Sequence, residues 1–324
     1  MKHLHSCCSK WLLTLLCVSM LGSCGGKSSH KTPEPENPYI LQANTHIHNG
    51  LAAMQKERWQ SAESSFARAL VSSQLADDIN LVSRSWYNLA VIRSALNNNT
   101  GAEEAYGRVL ELADRHRDSL MQMRAQIALA LIQEREGHLP ETFDIQQLPA
   151  SLFQAGNWPA DIRLQAARLA QRLQHSALAQ QAYLTITQTK GSDRNLLKMK
   201  AEAHMGLALL ARSESRFEQA WAEAEKALGY CRVVGAPRLT AHALLLQGQL
   251  GIANARERKD RLERALSIYV ALEDTAGQKQ TLAELIKLNS PESTPALQLR
   301  LQQLEDKLGK ENEKPESFSI MGED

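Results

Sequence analysis

The sequence predicts an all-α protein: a solenoid of about six helix hairpins, with a period near 40 residues and a capping helix at its carboxyl end. Three observations lead there. Of its 324 residues 43% are hydrophobic but only 5% aromatic. That is too apolar for a wholly disordered chain, and the abundance of Leu, Ala, Gln, Glu and Arg favours helices over a β-sandwich or barrel. Small residues recur at Gly50, Ala90, Ala130, Ala167, Ala208 and Ala253, in steps of 40, 40, 37, 41 and 45. Twelve residues after each stands another short residue, namely Ala62, Ala102, Thr142, Ala179, Ala220 and Ala265. Paired small residues at a fixed offset imply that two helices approach closely, again and again along the chain.

Before the repeats comes a leader. Met1 to Ser9 holds Lys2 and no acid, Lys10 follows, and Trp11 to Leu21 is an apolar run. That run is about half of the ~20 residues a spanning helix needs, which fits the apolar centre of a secretory signal. Leu21-Gly22-Ser23-Cys24 follows and resembles the lipobox of bacterial lipoproteins. The resemblance implies a signal peptide over 1–23, cleavage ahead of Cys24, and acylation of Cys24 with diacylglycerol and an amide-linked chain such as palmitate. Several buried acyl chains anchor firmly, at ~0.8 kcal/mol per methylene. Gly25 rather than Asp follows Cys24, and by the same resemblance this favours the periplasmic face of the outer membrane over the inner membrane.

Cleavage there leaves 301 residues, 35 basic against 36 acidic, and two cysteines, Cys24 and Cys231. A near-neutral chain announces no nucleic acid or other polyanion as partner. A lone remaining thiol forms no internal disulfide, and Cys231 follows Ala224, Ala227 and Leu228 at helical spacing, so it reads as a small buried residue. Residues 25–38 mix Gly, Ser, Pro and charge without a large apolar side chain. A tether over 24–40 is expected, able to extend on the order of 45 Å.

The repeats occupy 41–288. Four residues past the second small residue lie Phe66, Tyr106, Tyr183, Ala224 and Tyr269, and three beyond these lie Ala69, Val109, Ile186, Ala227 and Leu272. They fill the face on which the hairpin closes. Thr100 with Glu103 and Ser215 with Glu218 fit capping boxes, and Asp260 is expected to begin the last pair. Trp86-Tyr87-Asn88-Leu89-Ala90 with Ala102, Tyr106 and Leu110, the group Trp59, Ala62, Phe66 and Ala69, and the group His204, Leu207, Ala208, Phe217, Ala220, Ala227 and Leu228 resemble the tetratricopeptide repeat (TPR). The resemblance implies a right-handed solenoid, although the family unit is 34 residues. Gly248 offers a second register for the last pair.

His138 to Asp161 holds Pro140, Pro149 and Pro159 among Phe143, Leu148, Leu152, Phe153 and Trp158, so it is no regular helix. It divides blocks 43–137 and 160–288, as a packed linker, a hinge or a binding insertion. Asn289 to Pro295 stops one helix, and Leu297, Leu301, Leu304 and Leu308 then share a face that ends at Gly309. That helix caps the solenoid or makes a coiled-coil contact. Residues 310–324 are expected to be a polar tail.

Catalytic motifs are missing: no GxSxG, HExxH, Gly-rich phosphate loop or CxxC occurs. His46 and His48 are two apart, a spacing that turns them to different sides of a helix rather than to one metal. No enzyme activity, cofactor or metal is expected. In the family's register the first helix of each pair lines a concave groove that holds an extended peptide or a helix. The groove candidates are Tyr87, Asn88, Val91 and Ser94; Ile127, Leu131 and Glu134; and Met205, Leu209 and Arg212. By resemblance Asn88 would hold a bound peptide's backbone.

The expected function is therefore a lipid-anchored periplasmic adaptor. It would bind another envelope protein, or a peptide segment of one, in its groove and help assemble or position a complex at the outer membrane. A pilotin-like or secretion-machinery accessory lipoprotein is one alternative, and a regulator or enzyme of cell-wall polymer metabolism another.

Overall fold

The computed structural model describes residues 37–56, 58–154, 156, 158–288 and 294–312. The signal segment, Cys24, the tether up to residue 36 and the tail from residue 313 lie outside the described residues. The described chain is an all-α solenoid. Its helices are α1 (Pro38–Gln55), α2 (Trp59–Leu75), α3 (Ile79–Ala95), α4 (Asn99–His116), α5 (Ser119–Glu136), α6 (Ala160–Arg172), α7 (Ser176–Gln188), α8 (Arg194–Ser213), α9 (Phe217–Val234), α10 (Pro237–Gln249), α11 (Ala255–Ala271), α12 (Thr275–Leu288) and α13 (Thr294–Asn312). Successive helices pack as antiparallel hairpins, and every second helix also meets its like in the next pair, α6 with α8, α8 with α10 and α10 with α12. The repeat thus begins at Pro38, three residues earlier than expected, because Pro is tolerated in a first helical turn and Asn37 caps Tyr39 N at 3.0 Å.

The turns follow one rule that the sequence reading missed. Asp77, Asn97, Arg117, Gln174, Ser215 and Glu273 all have positive φ, and the residue after each is the N-cap of the next helix or the residue that caps it. A single left-handed residue reverses the chain, and in four of the six turns a short polar side chain after it takes up an orphan amide; His175 and Arg216 do not. Asp78 accepts from Leu81 N, Asn98 from Gly101 N, Asp118 from Met121 N, and Asp274 from Gly277 N, at 2.9 to 3.0 Å. The expected capping boxes are displaced accordingly. Asn98 rather than Thr100 caps α4, Ser215 is the left-handed residue before α9, and Asp260 lies inside α11, whose cap is Asn254.

Small-residue packing follows the expected logic with one correction. A Cβ on Gly50 would stand 2.5 Å from the Phe66 ring, and one on Gly248 equally close to Leu262. Gly206 lies flat against Tyr183, and Gly277 against Tyr269. Gly248 is therefore the contact residue of the sixth pair. Ala253 lies in the connection between α10 and α11, since a five-residue connection replaces the three-residue turn found within the earlier pairs.

Residues 138–159 take the place of a second helix beside α5. Two short 3-10 turns, Ile145–Gln147 and Ala150–Leu152, bury Ile145, Leu152 and Phe153 against Ile127, Ile162 and Leu169. Pro149 starts the second turn, and Trp158 donates to Ser151 Oγ at 2.9 Å. The stretch is packed into the core that joins α5 to α8. At the far end Leu297, Leu301 and Leu304 of α13 pack on the last core cluster, and Lys279 pairs with Glu305 at 2.8 Å. The helix continues past Gly309 to Asn312.

Two buried polar groups show how the hairpins are tied. His204 Nδ1 meets Glu223 Oε2 at 2.6 Å between α8 and α9, with Lys226 donating to the other oxygen at 2.8 Å and the Tyr230 ring stacked on the imidazole at 5.6 Å. The hydrogen bond from His204 holds the Glu223 carboxyl below its usual range, against the opposing effect of burial. A carboxyl depressed on folding contributes stability above its unfolded pKa, and that contribution is lost as pH falls through the folded value. Chemical denaturation between pH 7 and pH 3 is expected to show stability falling below about pH 4.5. His204→Ala should lower stability at pH 7 by about 1–3 kcal/mol and shrink that acid loss; an unchanged pH profile would contradict the assignment. Cys231 is buried in α9 and burial pushes its thiol up to about 11, which suits packing rather than redox chemistry.

Candidate functional site

The concave face is set by α6, α8, α10 and α12, the first helices of four successive pairs. Between them lies a groove of about 610 Å³. Its floor is apolar: Met205 and Leu209 of α8, Leu239 and Leu246 of α10, and Ala283 of α12. Its rim is polar: Arg168 of α6, Glu202 and Arg212 of α8, His242 and Gln249 of α10, Gln280 and Glu284 of α12.

Neighbouring first helices are bridged across this face, which fixes its shape before anything binds. Arg168 donates to Glu202 Oε2 at 2.8 Å, and Arg212 to Gln249 Oε1 at 2.9 Å. Tyr183, whose ring fills the space left by Gly206, donates to Gln171 Oε1 at 2.8 Å, and burial raises its phenol to about 12. His242 opens on the groove and stacks obliquely on Tyr269. Burial lowers its pKa, with Asp274 opposing and Arg238 adding to the effect, so at neutral pH it offers a neutral donor and acceptor.

The expected groove residues divide sharply. Met205, Leu209 and Arg212 line the groove. Those of the first block do not border it, because there the concave face is closed by its own polar bridges. Gln165 of α6 donates to the Tyr87 hydroxyl at 3.3 Å, Arg124 pairs with Asp161 at 2.9 Å, and Arg172 with Glu134 at 3.0 Å. Ser94 is engaged by Arg135 at 3.5 Å. Val91 and Leu131 pack on core clusters. Ile127 is 1% exposed and belongs to the core cluster that joins α5 to α8. Asn88 stays half-buried, and no side-chain hydrogen bond holds it among the described residues.

Most of the rim was missed, although the sequence carries its positions. In the second block part of it follows from spacing: the residues one and four after Ala167 and Ala208, namely Arg168, Gln171, Leu209 and Arg212, and the residue one after Gly248, Gln249, line the groove. Placing the sixth unit on Ala253 concealed the last of these. Among the described residues no cluster of His, Cys, Asp and Glu could hold a metal ion, and no helix is long and apolar enough to cross a membrane.

No family model matches the chain, and no curated protein matches it. Among solved structures it is similar to the crystal structure of BtubC (BKLC) from P. vanneervenii, with 15% sequence identity and a TM-score of 0.43 over 89% of this chain and 99% of that one.

Proposed function

We propose that the protein is a lipid-anchored periplasmic adaptor of the TPR type, which holds a segment of another envelope protein in the groove of α6, α8, α10 and α12. The observation that carries this reading is the groove itself: an apolar floor with a polar rim, fixed by cross-helix hydrogen bonds and spread over four repeats. A shape of this kind suits a peptide segment or helix, whose apolar side chains enter the floor while Arg168, Arg212 and Glu284 meet its polar groups. The lipobox at Leu21-Gly22-Ser23-Cys24 supports anchoring by Cys24.

Crosslinking in intact cells, followed by purification of the chain, is expected to recover one envelope protein in defined proportion. Incorporation of labelled palmitate is expected in the wild type and its complete loss in Cys24→Ser. A chain that retains the label in Cys24→Ser, or that recovers no envelope protein, would overturn the respective half of the reading.

A further inference from the structure

Beside the groove lies a second cavity of about 390 Å³, between the starts of α8 and α10 on one side and the α1–α2 turn on the other. We propose that the segment 313–324 of this chain docks there. The cavity's wall is cationic on one side, with Arg194, Lys198 and Arg238, and apolar on the other, with Met54, Trp59 and Leu239. Arg238 is matched by Asp274. Arg194 is spent on a neutral acceptor, the Val234 carbonyl at 2.7 Å, and Lys198 is exposed; no carboxylate among the described residues pairs with either. Ala236, at the N-cap of α10, supplies no side-chain acceptor, so the positive end of that helix also borders the cavity. An occupant that combines acids with large apolar side chains fits both walls.

Residues 313–324 have that composition: Glu313, Glu316, Glu323 and Asp324 against Lys314, with Phe318, Ile320 and Met321 between the acids. Their point of departure fits as well. The ion pair of Arg238 with Asp274 places the starts of α10 and α12 on one edge of the solenoid, and the pair of Lys279 with Glu305 runs α13 antiparallel to α12. The carboxyl end of α13 therefore emerges on the edge where the cavity opens. Two helix spacings of about 10 Å separate α13 from α10. Phe318, six residues past Asn312, reaches about 20 Å in extended chain, and the twelve residues together about 40 Å. The cavity shares Arg168, Glu202, Leu239 and His242 with the groove, so a docked segment occupies one end of the partner site.

A photo-crosslinking phenylalanine analogue at position 318 of the full chain tests this. The expected result is an adduct within one molecule, mapped by peptide mass spectrometry to residues 54–59, 194–198 or 237–242. Lys198→Glu, at an exposed position that leaves the fold intact by circular dichroism, should cut the yield about threefold, and Glu316→Lys in that background should restore it. Adducts mapped elsewhere, adducts only between two chains, no adduct, or a yield indifferent to the charge reversal would each overturn the proposal. The measurement needs no partner, so its failure would leave the groove reading in place.

Discussion

Tyr183→Ala is expected to lower the unfolding free energy by about 3–5 kcal/mol, the usual cost of deleting a fully buried aromatic ring. Tyr183 is 1% exposed, joins the α6–α8 core cluster, lies against Gly206 and hydrogen-bonds Gln171. One side chain thus holds α6, α7 and α8 in register. The companion substitution Gly206→Ala separates packing from propensity. In an isolated helix it would stabilise by about 1 kcal/mol; here the added methyl overlaps the Tyr183 ring, and a net loss of about 1–2 kcal/mol is expected because overpacking outweighs the helical gain. Urea denaturation measures both. A stabilised Gly206→Ala would show that the glycine is not a contact residue.

Leu209→Glu or Ala283→Glu is expected to weaken partner binding at least tenfold, about 1.4 kcal/mol, with little change in melting temperature for Ala283→Glu. Both side chains are half-buried on the groove floor; Leu209 also packs on the last core cluster, whereas Ala283 is not among its members. A carboxylate there must be desolvated by any apolar segment that enters. Val233→Glu is the control, since Val233 is 73% exposed on α9 and lines none of the cavities described. It should leave binding unchanged. Equal loss from all three variants would remove the groove from the account.

The fold was legible in the sequence because its determinants are local and recur. Gly50, Ala90, Ala167 and Ala208 mark hairpin contacts, and the buried residues twelve and sixteen positions later answer them, so periodicity defines those pairs; Ala130 has no such answer, because Thr142 and Gln146 are exposed in the irregular stretch. Helix starts were less legible. Asp78, Asn98, Asp118 and Asp274 cap only in concert with a left-handed residue just before them, and Arg117 or Glu273 does not advertise that conformation. The groove was legible in α8 and concealed elsewhere. Ile127 and Met205 hold the same place in their units, and both are largely buried; Met205, 7% exposed, still reaches open space because α8 and α10 stand apart there. Whether a concave face is open depends on long-range bridges such as Gln165 with Tyr87, 78 residues apart, and no repeat pattern encodes those.

The central claim is that the open half of the concave face, over α6 to α12, is where a partner sits. Its most direct test places a photo-crosslinking residue at Leu209, at Gln249 or at Val233 in the full chain and illuminates intact cells. The expected result is the same envelope protein attached at 209 and 249 and none at 233. Attachment at 233 with none at either groove position would contradict it.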